Sequence, residues 1–250
     1  MDKFQGIFEG DQLSVCPTDE DRDDEREVVH LFQCCLNVIR SLKLDALVAH
    51  KNFEWCFIYL MVNLKQERWN TKELVIQATA LLEQILVHHD SGLKDKPTLI
   101  SLSAHLCGEN HKKIRSFIDG HFCLALTRNG WQDKALSLAL FQVYCLNLKF
   151  PVVSDHLDTL LPPSLNLVDS HIDSLKVLGV NCLYHIMNEC GKTELRWHGR
   201  SKVIYDGLQK LTYSKDHLLL TILHPALIKV VQVIQAGNEV PTPNLIAAYI

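Results

Sequence analysis

The chain has 250 residues, 47% of them hydrophobic and 22% charged, with a formal net charge of −4. That is enough apolar material for a substantial core, as one or two compact domains or a short array of helical hairpins, and the charge balance does not indicate a globally basic nucleic-acid protein. Only 11 Gly and 8 Pro occur, and few windows alternate apolar and polar residues with period two, so the composition points to an all-α fold.

Charge is unevenly placed. Residues 1 to 27 hold ten acidic and three basic side chains, a balance of −7 that leaves +3 for residues 28 to 250. Residues 1–20 read as an irregular acidic segment. The run from Asp19 to Glu27 puts negative charge before and within the first turn of a helix starting near Asp23, where the helix dipole favours it; an acidic docking segment is the alternative. This first helix is predicted to end at Leu42, with Val28, Leu31, Phe32, Cys35, Leu36 and Ile39 on its inner face. A second, Asp45 to Leu64, carries Leu47, Val48, Trp55, Phe57, Ile58 and Met61. Asn70-Thr71 caps a third, which presents Leu74, Ala78, Leu81, Leu82 and Ile85 at helical spacing up to His88, and Asp90-Ser91-Gly92 ends it. The His88-His89 pair near its C-terminus is a dipole-compatible surface feature. Pro97 to Cys107 and His111 to Thr127 give two further helical pieces, the second interrupted near Asp119-Gly120. Asn129-Gly130 then breaks the chain before a helix from Trp131 to Leu148.

The clearest pattern lies between residues 151 and 189. Pro162 and Pro163 interrupt or kink a first helix whose apolar face continues through Leu165, Leu167 and Val168. Asp169 to Asp173 turn the chain, with Asp173 or Ser174 placed to cap a second helix. That helix spaces Leu175, Leu178, Cys182, Leu183 and Ile186 three and four apart, places Gly179 where a neighbouring helix can approach, and points Lys176 away from the stripe. A similar pair, Lys202 to Leu211 and Asp216 to Gln235, fills residues 201–235, about 40 residues further on, with its second-helix spacing running from Leu218 to Ile234. Proline in the first helix, aspartate in the turn, then a basic and a small residue resemble the HEAT repeat. Such a unit cannot bury its apolar face alone, so residues 21–250 are expected to form an α-solenoid of HEAT/armadillo-like hairpins.

A closer resemblance covers about residues 130 to 235. Asp169, Lys176, Gly179, Cys182-Leu183 with His185-Ile186, then Glu194-Leu195-Arg196, Gly199-Arg200 and Val203 resemble the Tel-two-interacting protein two family, a subunit of the Triple T co-chaperone complex. The resemblance implies a non-enzymatic scaffold or adaptor joining larger helical-repeat subunits. It also implies, through heat shock protein 90, support for the maturation and stability of kinases related to phosphatidylinositol kinases, and with it a link to the DNA damage response. The apolar run Asn244 to Ile250 lacks the polar outer face of a capping repeat, which is expected of a shortened form or of one part of a longer solenoid.

Other chemistries find less footing. Met1 to Gly10 has no apolar core of a secretory signal, and no apolar stretch comes near the roughly 20 residues that span a bilayer. The nine cysteines are therefore expected to be reduced thiols in a cytoplasmic or nuclear protein, with Cys34, Cys35, Cys56, Cys123, Cys145 and Cys182 packed as small hydrophobes. His105, Cys107 and His111 have H-x-C-x3-H spacing that suits zinc, but a fourth ligand is not evident and no metal or other cofactor is expected. Cys182 and His185, one turn apart, could pair for nucleophilic catalysis; a thiol on an apolar stripe is more often inert packing. No P-loop, dinucleotide-binding glycine motif, H-E-x-x-H or G-x-S-x-G is present. An enzyme is thus the alternative reading, as is a nucleic-acid-binding solenoid; no small-molecule substrate, nucleic acid or membrane is expected as a partner.

For recognition the best segment is Glu194 to Lys202, an inter-repeat connection carrying Arg196, Trp197, Arg200 and Lys202. Tryptophan and arginine are the residues most enriched at binding hot spots. The structural alternative has Trp197 packed back between hairpins, with Glu194 and Arg196 capping helix ends.

Overall fold

The computed structural model describes residues 21–49, 53–65, 67, 69–89, 102–108 and 112–236. Among them there is no strand, so the all-α expectation holds. The acidic segment 1–20, the Asp90-Ser91-Gly92 stop, residues 97–101, His111, the Asn244 to Ile250 run, and the side chains of Val28 and Leu31 lie outside the described residues. The chain divides into two compact units, Met1–Asn147 and Leu148–Ile250.

The first unit contains α1 (Asp21–Ser41), α2 (Leu44–Val48), α3 (Phe53–Val62), α4 (Lys72–His89), α5 (Leu102–Cys107), α6 (Lys112–Ile118) and α7 (Ala135–Asn147). Its centre is α3, which packs on α4 and α7. The expected single helix from Asp45 to Leu64 is instead two pieces either side of residues 50–52: at Ala49 the backbone N–H bonds back to Asp45 and Leu47 and closes α2. Phe53 and every residue from Cys56 to Val62 are buried, so α3 is apolar all round, as a core helix must be, rather than one-faced. From α1, Phe32, Cys35, Leu36 and Ile39 are buried; Phe32 stacks on Tyr59 with ring centroids 5.2 Å apart, and the Tyr59 hydroxyl donates to the Phe32 carbonyl.

Two buried asparagines close the chain between α3 and α4. Asn70 Nδ2 donates to Asn63 Oδ1 (3.1 Å) and to the Lys65 carbonyl (3.0 Å), while its own Oδ1 accepts from Glu67 N at 2.9 Å. Thr71 Oγ1 accepts from Leu74 N at 3.2 Å and caps α4, as its position before the apolar period predicts. The interruption expected near Asp119-Gly120 is a π-helical turn, Asp119–Cys123, that carries α6 onward without a break. Arg115, 4% exposed, donates from Nη1 to the Leu106 and Gly108 carbonyls at 2.6 and 2.8 Å, where the end of α5 leaves acceptors unsatisfied. Gly130, with φ 75, turns the chain into the 3₁₀ turn Trp131–Asp133 ahead of α7.

The second unit comprises α8 (Val152–Asp155), α9 (Leu157–Val168), α10 (Asp173–Glu189), α11 (Lys192–Arg196), α12 (Arg200–Lys210) and α13 (His217–Gln235). Helix α9 passes through Pro162 and Pro163 as one helix, and Ser164 Oγ donates to the Leu160 carbonyl at 2.8 Å. The expected side-chain cap of α10 does not form. Ile172 is the N-cap, Ser170 Oγ accepts from Ile172 N at 3.1 Å, and Asp173 pairs with Lys176 at 2.7 Å.

Helices α9 and α10 make one hairpin and α12 and α13 a second. Across them the first helices touch each other and so do the second helices, as in stacked repeats. The register can be measured from side chains: Arg200 pairs with Asp158 at 2.6 Å and Lys210 with Asp169 at 3.3 Å, separations of 42 and 41 residues. Offsets that agree to within one residue at the two ends of α12 mean α9 and α12 run parallel, one repeat apart. Inside the first hairpin Gly179 allows the close approach its position predicts, since a Cβ there would lie 2.7 Å from Val168 N and 2.9 Å from Leu167 Cβ.

Helix α13 corrects two expectations. Its Asp216 cap is as predicted, accepting from Leu218 N at 2.8 Å, but Leu218 is 62% exposed, and the inner face instead carries Leu219, Leu223, Ala226, Leu227, Val230 and Val231. With 19 residues the helix is also long and apolar enough to cross a membrane by length and composition, contrary to the expectation that no stretch comes near that length. Its buried face packs on α10 and α12, while Thr221, His224 and Gln232 are exposed on the other side.

Candidate partner-binding surface

Leaving α10 at Cys190, whose thiol burial holds in its protonated form and whose Sγ lies 3.3 Å from Ser154 Oγ, the chain reaches the connection between hairpins. Helix α11 is one short turn fixed by Leu195, which is fully buried. The Glu194 carboxylate folds back over Gly191, so closely that a Cβ there would lie 2.0 Å from Glu194 Oε2. A 3₁₀ turn, Trp197–Gly199, follows. Within it His198 has φ 55 and ψ 21, and Gly199 has φ 70, two left-handed residues in succession. The turn reverses the chain into α12.

The four residues singled out by sequence separate into different roles. Trp197 is 62% exposed, so it does not pack back between the hairpins. Lys202 is exposed and Arg196 half-buried. Arg200 is committed to the fold: Nη2 pairs with Asp158 of α9, and Nη1 donates to the Glu194 carbonyl at 3.2 Å. Sequence reasoning missed a set of exposed apolar side chains on the second hairpin, Val203, Tyr213, Leu218 and Ile228. The run Leu218-Leu219-Leu220 fits more than one helical register, and nothing local distinguishes its outer leucine.

His105 is buried with its ring 5.0 Å from that of Phe57 and nearly parallel to it; Cys107 is half-buried, and His111 is outside the described residues. Among the described residues no group of three or more His, Cys, Asp or Glu is placed to hold a metal ion. Cys182 is fully buried, while His185 Nε2 lies 2.8 Å from the Leu148 carbonyl. Cys34, expected inside, is exposed, with its Sγ 3.8 Å from His30 Nδ1, because the inner face of α1 takes Cys35 instead. His88 reaches Asp45 Oδ1 at 2.8 Å, tying α4 to α2, which goes beyond a dipole effect.

Two stacked helical hairpins joined by a turn that exposes an aromatic side chain define the class, an all-α protein of helical-repeat type. Within that class the chain is similar to TELO2-interacting protein 2. It is 31% identical to the Rattus norvegicus protein over 122 residues, 26% to the Homo sapiens protein over 166 residues, and 30% to the Mus musculus protein over 122 residues. These alignments cover 48%, 66% and 48% of this chain, but only 24%, 31% and 24% of the relatives, so the chain spans less than a third of their length in matched residues. All three relatives carry one name. No family model matches the chain.

Proposed function

We propose that the chain is a non-enzymatic scaffold or adaptor subunit of a Triple T-type co-chaperone complex. The observation that carries this reading is the agreement of three relatives, each named for interaction with TELO2. The fold supports it: two hairpins in parallel register display Trp197 and Lys202 from a connection whose ends are fixed by buried Leu195 and the Arg200–Asp158 pair. In this reading residues 21–250 form an α-solenoid, its partners are the helical-repeat subunits of the complex, and its mechanism is geometric. Affinity comes from desolvating aromatic, apolar and cationic anchors on a pre-shaped surface; no bond is made or broken. Through heat shock protein 90 the assembly supports maturation of kinases related to phosphatidylinositol kinases, in the cytoplasm, the nucleus or both.

Co-expression with TELO2 followed by affinity purification and size-exclusion chromatography tests the reading. The expected result is a stoichiometric complex that survives the column. Elution of the two proteins apart, with the chain folded, overturns it.

A further inference from the structure

The connection between the hairpins has features that a plain linker does not need. Trp197 leaves 62% of its surface in water, and the backbone that aims it outward passes through a left-handed His198 and a left-handed Gly199. A non-glycine residue at positive φ is uncommon and persists only where its surroundings over-determine it. Here they do. Leu195 is fully buried on one side of the turn, and on the other Arg200 bonds the Glu194 carbonyl and Asp158 together. A Cβ on Gly199 would meet nothing within 4 Å. Glycine is therefore required there by backbone conformation, with packing playing no part.

Along the connection itself the exposed unpaired charge is basic, since the neighbouring Asp158 is taken up by Arg200. Between residues 191 and 203 the exposed charged side chains are Lys192 and Lys202, with His198 beside them, and the single carboxylate, Glu194, is turned onto Gly191. We propose that Trp197, presented by the His198-Gly199 turn, is a preorganised anchor for an apolar pocket rimmed by carboxylates on a partner protein. The inference rests on the scaffold reading above and names the chemistry of its partner. An aromatic side chain held in place before contact loses little conformational freedom on binding, which is where rigid anchors gain affinity. A protein partner fits better than a nucleic acid. Arg200 is already paired with Asp158, so the connection offers only two exposed lysines, Lys192 and Lys202, fewer cations than recognition of a phosphate backbone uses.

The purified 250-residue chain and purified TELO2 as probe test this by calorimetric titration over a range of salt concentrations. Trp197→Ala should weaken binding by at least about 30-fold, the fold-change of a hot-spot residue, with the melting temperature unchanged because the side chain is exposed. Trp197→Phe should recover part of the loss. Exchanging Lys192 and Lys202 for glutamine should weaken binding and flatten its dependence on salt. If wild-type chain binds and Trp197→Ala binds within twofold of it, this inference falls and the scaffold reading stands. If wild-type chain does not bind TELO2, both fall. Binding of a single-stranded oligonucleotide that is steeply salt-dependent and lost in Trp197→Ala also overturns the inference, since the indole would then be a stacking platform for bases.

Discussion

Gly179 shows what a single hydrogen can fix. Alanine is the better helix former by about 1 kcal/mol, and at an open helical site the exchange would stabilise the protein. At this site the new methyl would face a backbone nitrogen, Val168 N at 2.7 Å, which cannot swing away as a side chain can. The hairpin must open instead, at an overpacking cost toward the upper end of about 1–3 kcal/mol. Gly179→Ala is therefore expected to lower stability by about 1–2 kcal/mol net, read from the urea midpoint. The cysteines separate by the same logic of space. Burial pushes the Cys56 thiol up from 9.0 to about 12. In the unfolded chain that thiol ionises above its ordinary value while the folded protein keeps the proton. The unfolded state then binds fewer protons, and stability falls as pH rises through the interval from 9.0 to about 12. Below that interval Cys56 adds no pH dependence. Urea titrations at successive alkaline pH values should show the decline, and Cys56→Ala should shift its onset or reduce its slope. Under native conditions a thiol-alkylating reagent should modify exposed Cys34 before Cys56 or Cys182, as peptide mass spectrometry would register.

At the scale of elements, the α3–α4 connection is held by the Asn63–Asn70 pair, with Asn63 fully buried and Asn70 6% exposed. Asn63 Nδ2 keeps the Tyr59 carbonyl, but removing the Asn70 amide leaves the buried Asn63 Oδ1 without its donor, so Asn70→Ala should cost about 1–3 kcal/mol and speed amide exchange at the start of α4. An unchanged exchange pattern would mean that the backbone turn alone sets the connection. Element existence could be read from the sequence wherever period and punctuation agreed. Thr71, Gly130, Asp216, the apolar spacing of α4 and, apart from half-buried Leu178, that of α10 fall where the residues indicate. Boundaries and registers were less legible, for identifiable reasons. An all-round apolar helix such as α3 carries no period to orient it. Leu218-Leu219-Leu220 leaves the register of α13 ambiguous by one residue. The structural role of Arg200 was invisible because its partner, Asp158, lies 42 residues away, and only the stacking of the hairpins brings them together. The exposure of Trp197 depends on two left-handed residues, one of them a histidine that nothing in the sequence marks as left-handed.

For the molecule as a whole, the question is whether structure and contact can be separated experimentally. Leu183 is fully buried on α10, the helix that packs on both α9 and α13, so every layer of the second unit depends on it. Leu183→Asp places an unpaired carboxylate in that core and removes its packing, a loss of several kcal/mol, more than about 4 and comparable to the whole stability of a small domain. The first unit has its own core, built on α3, with Phe57, Tyr59 and Leu60 fully buried. The expected outcome of Leu183→Asp is thus local: hydrogen exchange accelerates through α9 to α13 while α3, α4 and α7 keep wild-type protection. Partner binding through the Trp197 turn is lost as well, because Leu195 and the Asp158–Arg200 pair no longer hold it. Trp197→Ala should give the complementary result, lost binding with full protection throughout. Together the two variants distinguish a surface that needs a rigid scaffold from one that recognises its partner as a flexible segment. In the second case Leu183→Asp would unfold the unit and leave binding intact, and a preorganised anchor could not then be the source of affinity.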